Sequence, residues 1–256
     1  MLSFVLDMDS RWWSESRESM MVENICFYIG AMSLRGVEMP VSIMACYHDV
    51  SEVLCTSPDW RECVSILKTG GLRARLGEYE TPISQGVSRA ICAGSRKTDC
   101  AIIMFECGKS DFSAQNVTLS NCGWAAESVG IPIHLVTLGG VPSPSLLRLC
   151  FKTGGVHIPP AFTGTPGELM QALMFHLTSN ARAELKVRPP PNQTHMGATC
   201  ICHNKPLDRG YVCSICLAIY CAETAGTCTV CGSRIRREAK DEQAISTQTF
   251  SRLFNV

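Results

Sequence analysis

Residues 100–105 read C-A-I-I-M-F. A continuous apolar run of this kind belongs to a central strand buried on both faces of a parallel sheet. Toward the C-terminus, residues 117–129 read as a helix and residues 131–138 as another buried strand. A short helix over 143–151, a strand over 154–158 and an amphipathic helix over 169–177, with Pro166 at its head, complete that half. Toward the N-terminus, Ile83, Val87 and Ile91 mark a helix over 83–92, with Thr81 expected as its N-cap and Pro82 at the first helical position. Residues 53–56 and 41–47 are strand candidates, and Met21, Ile25, Ile29 and Met32 carry helical spacing over 20–34. The chain opens with L-S-F-V-L over 2–6, ending in Asp7-Met8-Asp9-Ser10. Strands alternating with helices predict an α/β fold: an open, mostly parallel sheet with helices on both faces. Ligands of such sheets sit at the carboxyl ends of the strands, where this reading puts Asp7, Asp9, Thr81 and Glu106.

The composition bounds the rest. A length of 256 residues is room for one ordinary domain and a small one. A net charge of zero with 46% hydrophobic residues predicts a packed core and gives no overall pull toward nucleic acid or an anionic membrane. No apolar run reaches the length of a bilayer span, and Met1-Leu2-Ser3-Phe4 lacks a basic region and a cleavage site, so no secretory signal is expected. Nine of the sixteen cysteines are scattered singly through residues 1–150, in apolar runs such as Ala45-Cys46-Tyr47. They read as small buried hydrophobes in a reducing compartment, not as disulfides or catalytic thiols.

Residues 188–192, R-P-P-P-N, break the alternation, because consecutive prolines continue neither helix nor sheet. The expected organisation is a first domain over 1–180, a proline-containing linker over 181–198, a zinc module over 199–234 and a basic-then-polar tail over 235–256. The module carries C-S-I-C, eleven residues, then C-T-V-C. Cys213, Cys216, Cys228 and Cys231 form two hooks that close on one tetrahedral Zn²⁺, and four thiolates leave no open position, so the metal is structural. The remaining Cys200, Cys202, His203 and Cys221 suit a second, incomplete RING-like site, or else buried thiols with a hydrogen-bonded histidine. No Ser/His/Asp or Cys/His arrangement is found, and Gly70-Gly71 and Gly154-Gly155 lack a phosphate-loop context. The expectation is therefore a non-enzymatic protein. Two alternatives are a RING-like ubiquitin ligase and direct DNA contact through the zinc module with Arg234, Arg236 and Arg237.

Several segments together carry a resemblance. They are L-D-M-D-S-R-W-W at the start, K-T-G-G-V-H-I in the middle, then P-P-P, C-I-C-H, G-Y-V-C-S-I-C-L-A-I-Y-C and C-T-V-C. Over almost the whole chain the sequence closely resembles the small von Willebrand A/zinc subunit of general transcription factor IIH (TFIIH), the Tfb4 or 34-kilodalton type. The resemblance implies a von Willebrand A domain followed by a C4-type zinc module, in the nucleus, serving transcription initiation and nucleotide excision repair. It implies a scaffold bound to the larger von Willebrand A/zinc subunit through that subunit's C-terminal zinc domain. Other core subunits, the helicases included, would be neighbours, with no membrane and only indirect or weak DNA contact.

Von Willebrand A domains often hold Mg²⁺ on Asp-x-Ser-x-Ser, a Thr and an Asp from three loops. Here Arg11 stands at the second serine position of Asp7-Met8-Asp9-Ser10-Arg11. Thr81 offers the second loop, and Glu106-Cys107 replaces the third. A degenerate site without Mg²⁺ is expected, with Asp7 and its neighbours bonded to loop backbone or to Arg11. Of the adjacent Trp12 and Trp13, at least one ring is expected to be partly exposed, the pair serving either to pack the first helix or to anchor an interface. For this family the chain looks short, with little between the second strand and the helix at Pro82.

Overall fold

The computed structural model describes residues 1–34, 40–47, 50–71, 81–96, 99–108, 112–160, 165–177, 198–200, 206–207, 209–215, 218–221 and 226–234. Strand β1 (Leu2–Asp7) lies at the middle of the main sheet, and all six of its residues are buried. It pairs in parallel with β2 (Val41–Cys46) on one side and β4 (Ala101–Glu106) on the other. β5 (Ile133–Thr137) and β6 (His157–Ile158) extend the parallel run, while β3 (Ser51–Ser57) closes the opposite edge antiparallel to β2. The order β3-β2-β1-β4-β5-β6 puts the reversal of strand order between β1 and β4. The crevice outside their carboxyl ends is where this architecture places its site.

The continuous apolar runs follow from burial on both faces. One cluster joins Phe4, Leu6 and Phe105 to α1 (Glu15–Ser33) and α6 (Pro166–Leu177); the other joins Val5 and Met104 to α3 (Ile83–Gly94), α4 (Asn116–Ser128) and α5 (Pro144–Lys152). Each fully buried side chain of this size contributes about 1.5–3 kcal/mol. Tyr28 ties α1 to α6, its hydroxyl donating to the Leu177 carbonyl at 2.9 Å. Gly86 sets the approach of α3: a Cβ there would lie 2.5 Å from Cys46 Sγ and 2.9 Å from Val5 Cγ1.

Three local expectations are corrected. α1 begins at Glu15, not near residue 20, because Ser14 caps it and the first turn carries Glu15 and Glu18 rather than apolar residues. The stretch after β3 is not bare: α2 (Trp60–Ile66), capped by Asp59, runs into a π-helical turn over Leu67–Gly71. Thr81 does not cap α3. Pro82 occupies the cap position, and the first-turn amide of Ser84 bonds Gln115 Oε1 instead (3.0 Å).

Cys46, Cys63, Cys107, Cys122 and Cys150 lie buried in the two clusters. Burial pushes the Cys46 thiol up to about 12, so it is not a thiolate near neutral pH. Among the described residues no helix is long and apolar enough to cross a membrane. Toward the C-terminus, β7 (Ala198–Thr199) pairs with β8 (Pro206–Leu207), and β9 (Tyr211–Val212) pairs with β10 (Ile219–Tyr220). β7 also lies beside β10. Cys202, His203, Cys216, Arg236, Arg237, the linker before residue 198 and the tail over 235–256 lie outside the described residues.

Candidate functional site

The crevice between β1 and β4 gathers the acids that the sequence placed there. Asp7, the last residue of β1, is fully buried. Its Oδ1 accepts the Thr81 hydroxyl at 2.6 Å and its Oδ2 accepts the Cys107 amide at 3.1 Å. The Thr81 hydroxyl is thus turned to the Asp7 carboxylate, and the residue lies one position before the Pro82 that occupies the cap of α3. Asp9 is gripped by Arg11, whose Nε lies 2.9 and 3.1 Å from the two carboxylate oxygens. The Arg11 amide adds a bond of 3.0 Å to Asp9 Oδ1.

Glu106 ends β4. Its Oε1 accepts the Ser143 amide at 2.7 Å, while Oε2 is buried with no hydrogen-bond partner among the described residues. Burial pushes the Asp7 carboxyl up to about 6, the Thr81 and Cys107 donors opposing the rise. Burial likewise pushes Glu106 up to about 8, with the Ser143 amide opposing and the Asp7 charge adding to it. The edge therefore holds one acid paired to a guanidinium and two that burial holds toward the neutral form. A divalent cation needs ionised oxygens free to turn toward it, and Asp7 and Asp9 already bond donors of the protein.

The two tryptophans differ from expectation. Trp12 and Trp13 are only 6% and 7% exposed, so both rings fit the core. They fit because they meet edge to face, with centroids 5.0 Å apart and planes at 83°. Trp13 Nε1 donates to the Asp7 carbonyl at 2.8 Å, and Arg17 lies over the Trp12 ring. The pair braces the loop that carries Asp7 and Asp9; it offers no exposed anchor.

The cysteine hooks are built by backbone. The β9–β10 hairpin carries the first, closed by the Cys213 amide on the Ala218 carbonyl (2.8 Å). In the second, the Cys228 amide bonds the Ser233 carbonyl (2.7 Å) and Gly232, at φ +71°, returns its amide to the Cys228 carbonyl (2.9 Å). Glycine adopts that φ without steric cost. The sulfurs of Cys213, Cys228 and Cys231 all lie within 4.8 Å of one another, and those of Cys213 and Cys231 are 3.6 Å apart. Four sulfurs at 2.3 Å from a tetrahedral Zn²⁺ would be separated by about 3.8 Å, so the donor set fits a metal ion of that kind. Cys216 lies outside the described residues.

Donors surround these sulfurs, and two of them escaped the sequence reading. The Cys231 amide points to Cys228 Sγ at 3.4 Å. Tyr220, fully buried, has its hydroxyl 3.1 Å from Cys228 Sγ and accepts the Thr229 amide at 3.0 Å. Ser233 Oγ lies 3.2 Å from Cys213 Sγ and 3.0 Å from Cys231 Sγ. Toward thiolates both hydroxyls must donate, which offsets the charge that four sulfurs bring to one ion. Their positions in I-Y-C and C-G-S were the available signal. Of the second expected set, Cys200 follows β7 and Cys221 follows β10, the strand beside it, while Cys202 and His203 lie outside the described residues.

Comparison with known proteins agrees with this architecture. The sequence profile of the transcription factor Tfb4 family matches residues 75–232, more than half of the chain. The general transcription and DNA repair factor IIH subunit tfb4 of Schizosaccharomyces pombe is 32% identical over 167 residues, covering 62% of this chain and 54% of that protein. The corresponding TFB4 subunit of Arabidopsis thaliana is 31% identical over 140 residues, covering 53% and 44%. The chain thus spans about half the length of the curated relatives it matches. Among solved structures, the N-terminal domain of the TFIIH p34 subunit superposes with a TM-score of 0.55 at 20% identity, covering 68% of this chain and 95% of that one. The von Willebrand A domain of SpRpn10 gives 0.51 at 15% identity, covering 67% and 92%. These two likenesses show the fold: a von Willebrand A sheet. By the profile match, the chain belongs to the transcription factor Tfb4 family.

Proposed function

We propose that this chain is a non-enzymatic structural subunit of general transcription and DNA repair factor IIH, acting in the nucleus in transcription initiation and nucleotide excision repair. The observation that carries the reading is the state of the sheet edge. Asp7 and Asp9 are engaged by Thr81, Cys107 and Arg11, so the crevice where this fold handles ligands is closed by the protein's own donors. That state supports a degenerate site that takes no Mg²⁺ and performs no turnover.

In this reading the von Willebrand A domain spans 1–180, the linker 181–198, the zinc module 199–234 and the tail 235–256. Cys213, Cys216, Cys228 and Cys231 hold one structural Zn²⁺, which supplies the tie between the two hooks. The three converging sulfurs support that assignment. Cys200, Cys202, His203 and Cys221 suit a second, incomplete RING-like site, which the adjacency of β7 and β10 favours, or else buried thiols with a hydrogen-bonded histidine. The partners are the larger von Willebrand A/zinc subunit, through its C-terminal zinc domain, and the other core subunits, helicases included. DNA contact is indirect or weak.

Co-expression with the larger subunit, followed by purification and metal analysis, tests the proposal. A stable complex with zinc on this chain is expected. Failure to associate, with this chain folded and zinc-loaded, would contradict it.

A further inference from the structure

α4 presents apolar residues in two directions. Leu119, Cys122 and Ala126 are buried in the cluster under α3 and α5. Val117 faces elsewhere and packs against the cluster of Cys213, Ala218, Tyr220 and Cys228 in the zinc module. Ala218 also forms one wall of a cavity of about 160 Å³ whose other walls come from α4 and α5, including Leu119, Gly123, Trp124 and Arg148. Gly123 keeps those helices close: a Cβ there would meet Lys152 Cδ at 3.2 Å and Leu149 Cδ1 at 3.3 Å. At the rim, Lys152 Nζ sits over the Trp124 ring and pairs with Glu127 at 2.8 Å. An apolar centre with a charged and aromatic rim is the anatomy of a docking surface.

We propose that the α4–α5 face is the seat of the chain's own zinc module, and that the seat couples metal binding to the order of these two helices. The inference rests on the reading of Cys213 and Cys228 as zinc ligands. Those two residues are at once members of the sulfur group and of the cluster that touches Val117. Releasing the metal frees the same side chains that hold the module against α4. The occupant is the chain's own module because α6 ends at Leu177 and β7 begins at Ala198, a tether of only 20 residues (178–197). A tether of that length keeps the module close to the sheet domain, which favours an intramolecular occupant. The coupling is reciprocal: what zinc adds to the seat, the seat adds to zinc.

Hydrogen exchange on the whole chain, with zinc and after chelation, reads the coupling directly, with zinc content measured on the same samples. Chelation is expected to raise exchange in peptides over 116–128 and 144–152 about fivefold or more while α1 and α6, on the opposite face, are unchanged. Stoichiometric zinc loss with no change in α4 and α5 overturns the inference. A chain that never carries zinc overturns the ligand reading beneath it, a separate result. Val117→Asp is expected to speed zinc release to a chromogenic chelator about fivefold, with the sheet's circular dichroism retained. Should aspartate unfold α4, Val117→Ala reports the same release in milder form, and wild-type release from a folded variant contradicts the proposal.

Discussion

The sheet edge and the cysteine hooks are both gatherings of potential metal ligands on loops, and they are wired in opposite ways. At the edge, Asp7 and Asp9 bond to Thr81, Cys107 and Arg11, and Glu106 is held toward its neutral form. At the hooks, three sulfurs converge and the surrounding amide and hydroxyls point at them, increasing their capacity to bear negative charge. A cation at the edge must displace protein donors and ionise buried acids. At the hooks it completes what the fold has prepared. What the neighbouring donors already do, more than the ligand types themselves, distinguishes the two regions.

The largest effect expected is at the hooks. Structural zinc contributes on the order of 10–16 kcal/mol to small modules near neutral pH. Cys228→Ser should therefore lose the metal and leave residues 199–234 open to protease, while the sheet stays folded; undiminished zinc in that variant would remove Cys228 from the set. Next comes the brace of the edge. Trp13→Ala removes a buried ring and its bond to the Asp7 carbonyl, so a loss of about 3–5 kcal/mol should appear as a lower denaturant midpoint of the whole chain. A variant of unchanged stability that fails to bind a partner would restore the interface role that its burial speaks against.

Much of this comparison was legible in the sequence. The runs over 2–6, 41–47, 100–105 and 131–138 gave the strands because burial on both faces leaves no polar alternation, and the C-x-x-C pairs gave the hooks. What stayed hidden depends on contacts between distant residues. Thr81 reads as a cap, yet Pro82 takes the cap position and the Thr81 hydroxyl turns to Asp7, far away in sequence. Two adjacent tryptophans look too large for one core until their edge-to-face packing is seen. α2 is seven residues long and holds a single fully buried residue, Cys63, so it left no period to read. Tyr220 and Ser233 act through geometry that spacing does not encode.

Smaller effects sharpen the contrast further. The carboxyls of Asp7 and Glu106 are raised from 3.8 to about 6 and from 4.5 to about 8, so the folded state holds protons that the unfolded chain has released. The associated stability is full below those unfolded values and is lost as pH rises through the folded ones. The sheet domain should thus melt at lower temperature at pH 8 than at pH 5. Glu106→Gln should flatten that slope and stabilise the domain at pH 8, by a few kcal/mol at most since one pKa unit is worth about 1.4 kcal/mol. A slope unchanged in the variant would exclude Glu106 as its source. At the hooks, Tyr220→Phe removes one hydroxyl from Cys228 Sγ and should weaken zinc binding about tenfold in chelator competition without unfolding the module. Wild-type affinity would mean that the hydroxyl serves Thr229 alone.

Native mass spectrometry of the whole chain, equilibrated with both Zn²⁺ and Mg²⁺, weighs the two regions in one measurement. The account predicts a chain carrying zinc that Cys228→Ser removes, and carrying no Mg²⁺. A stoichiometric Mg²⁺ that Asp7→Asn removes, or a chain that takes up no zinc, would contradict it.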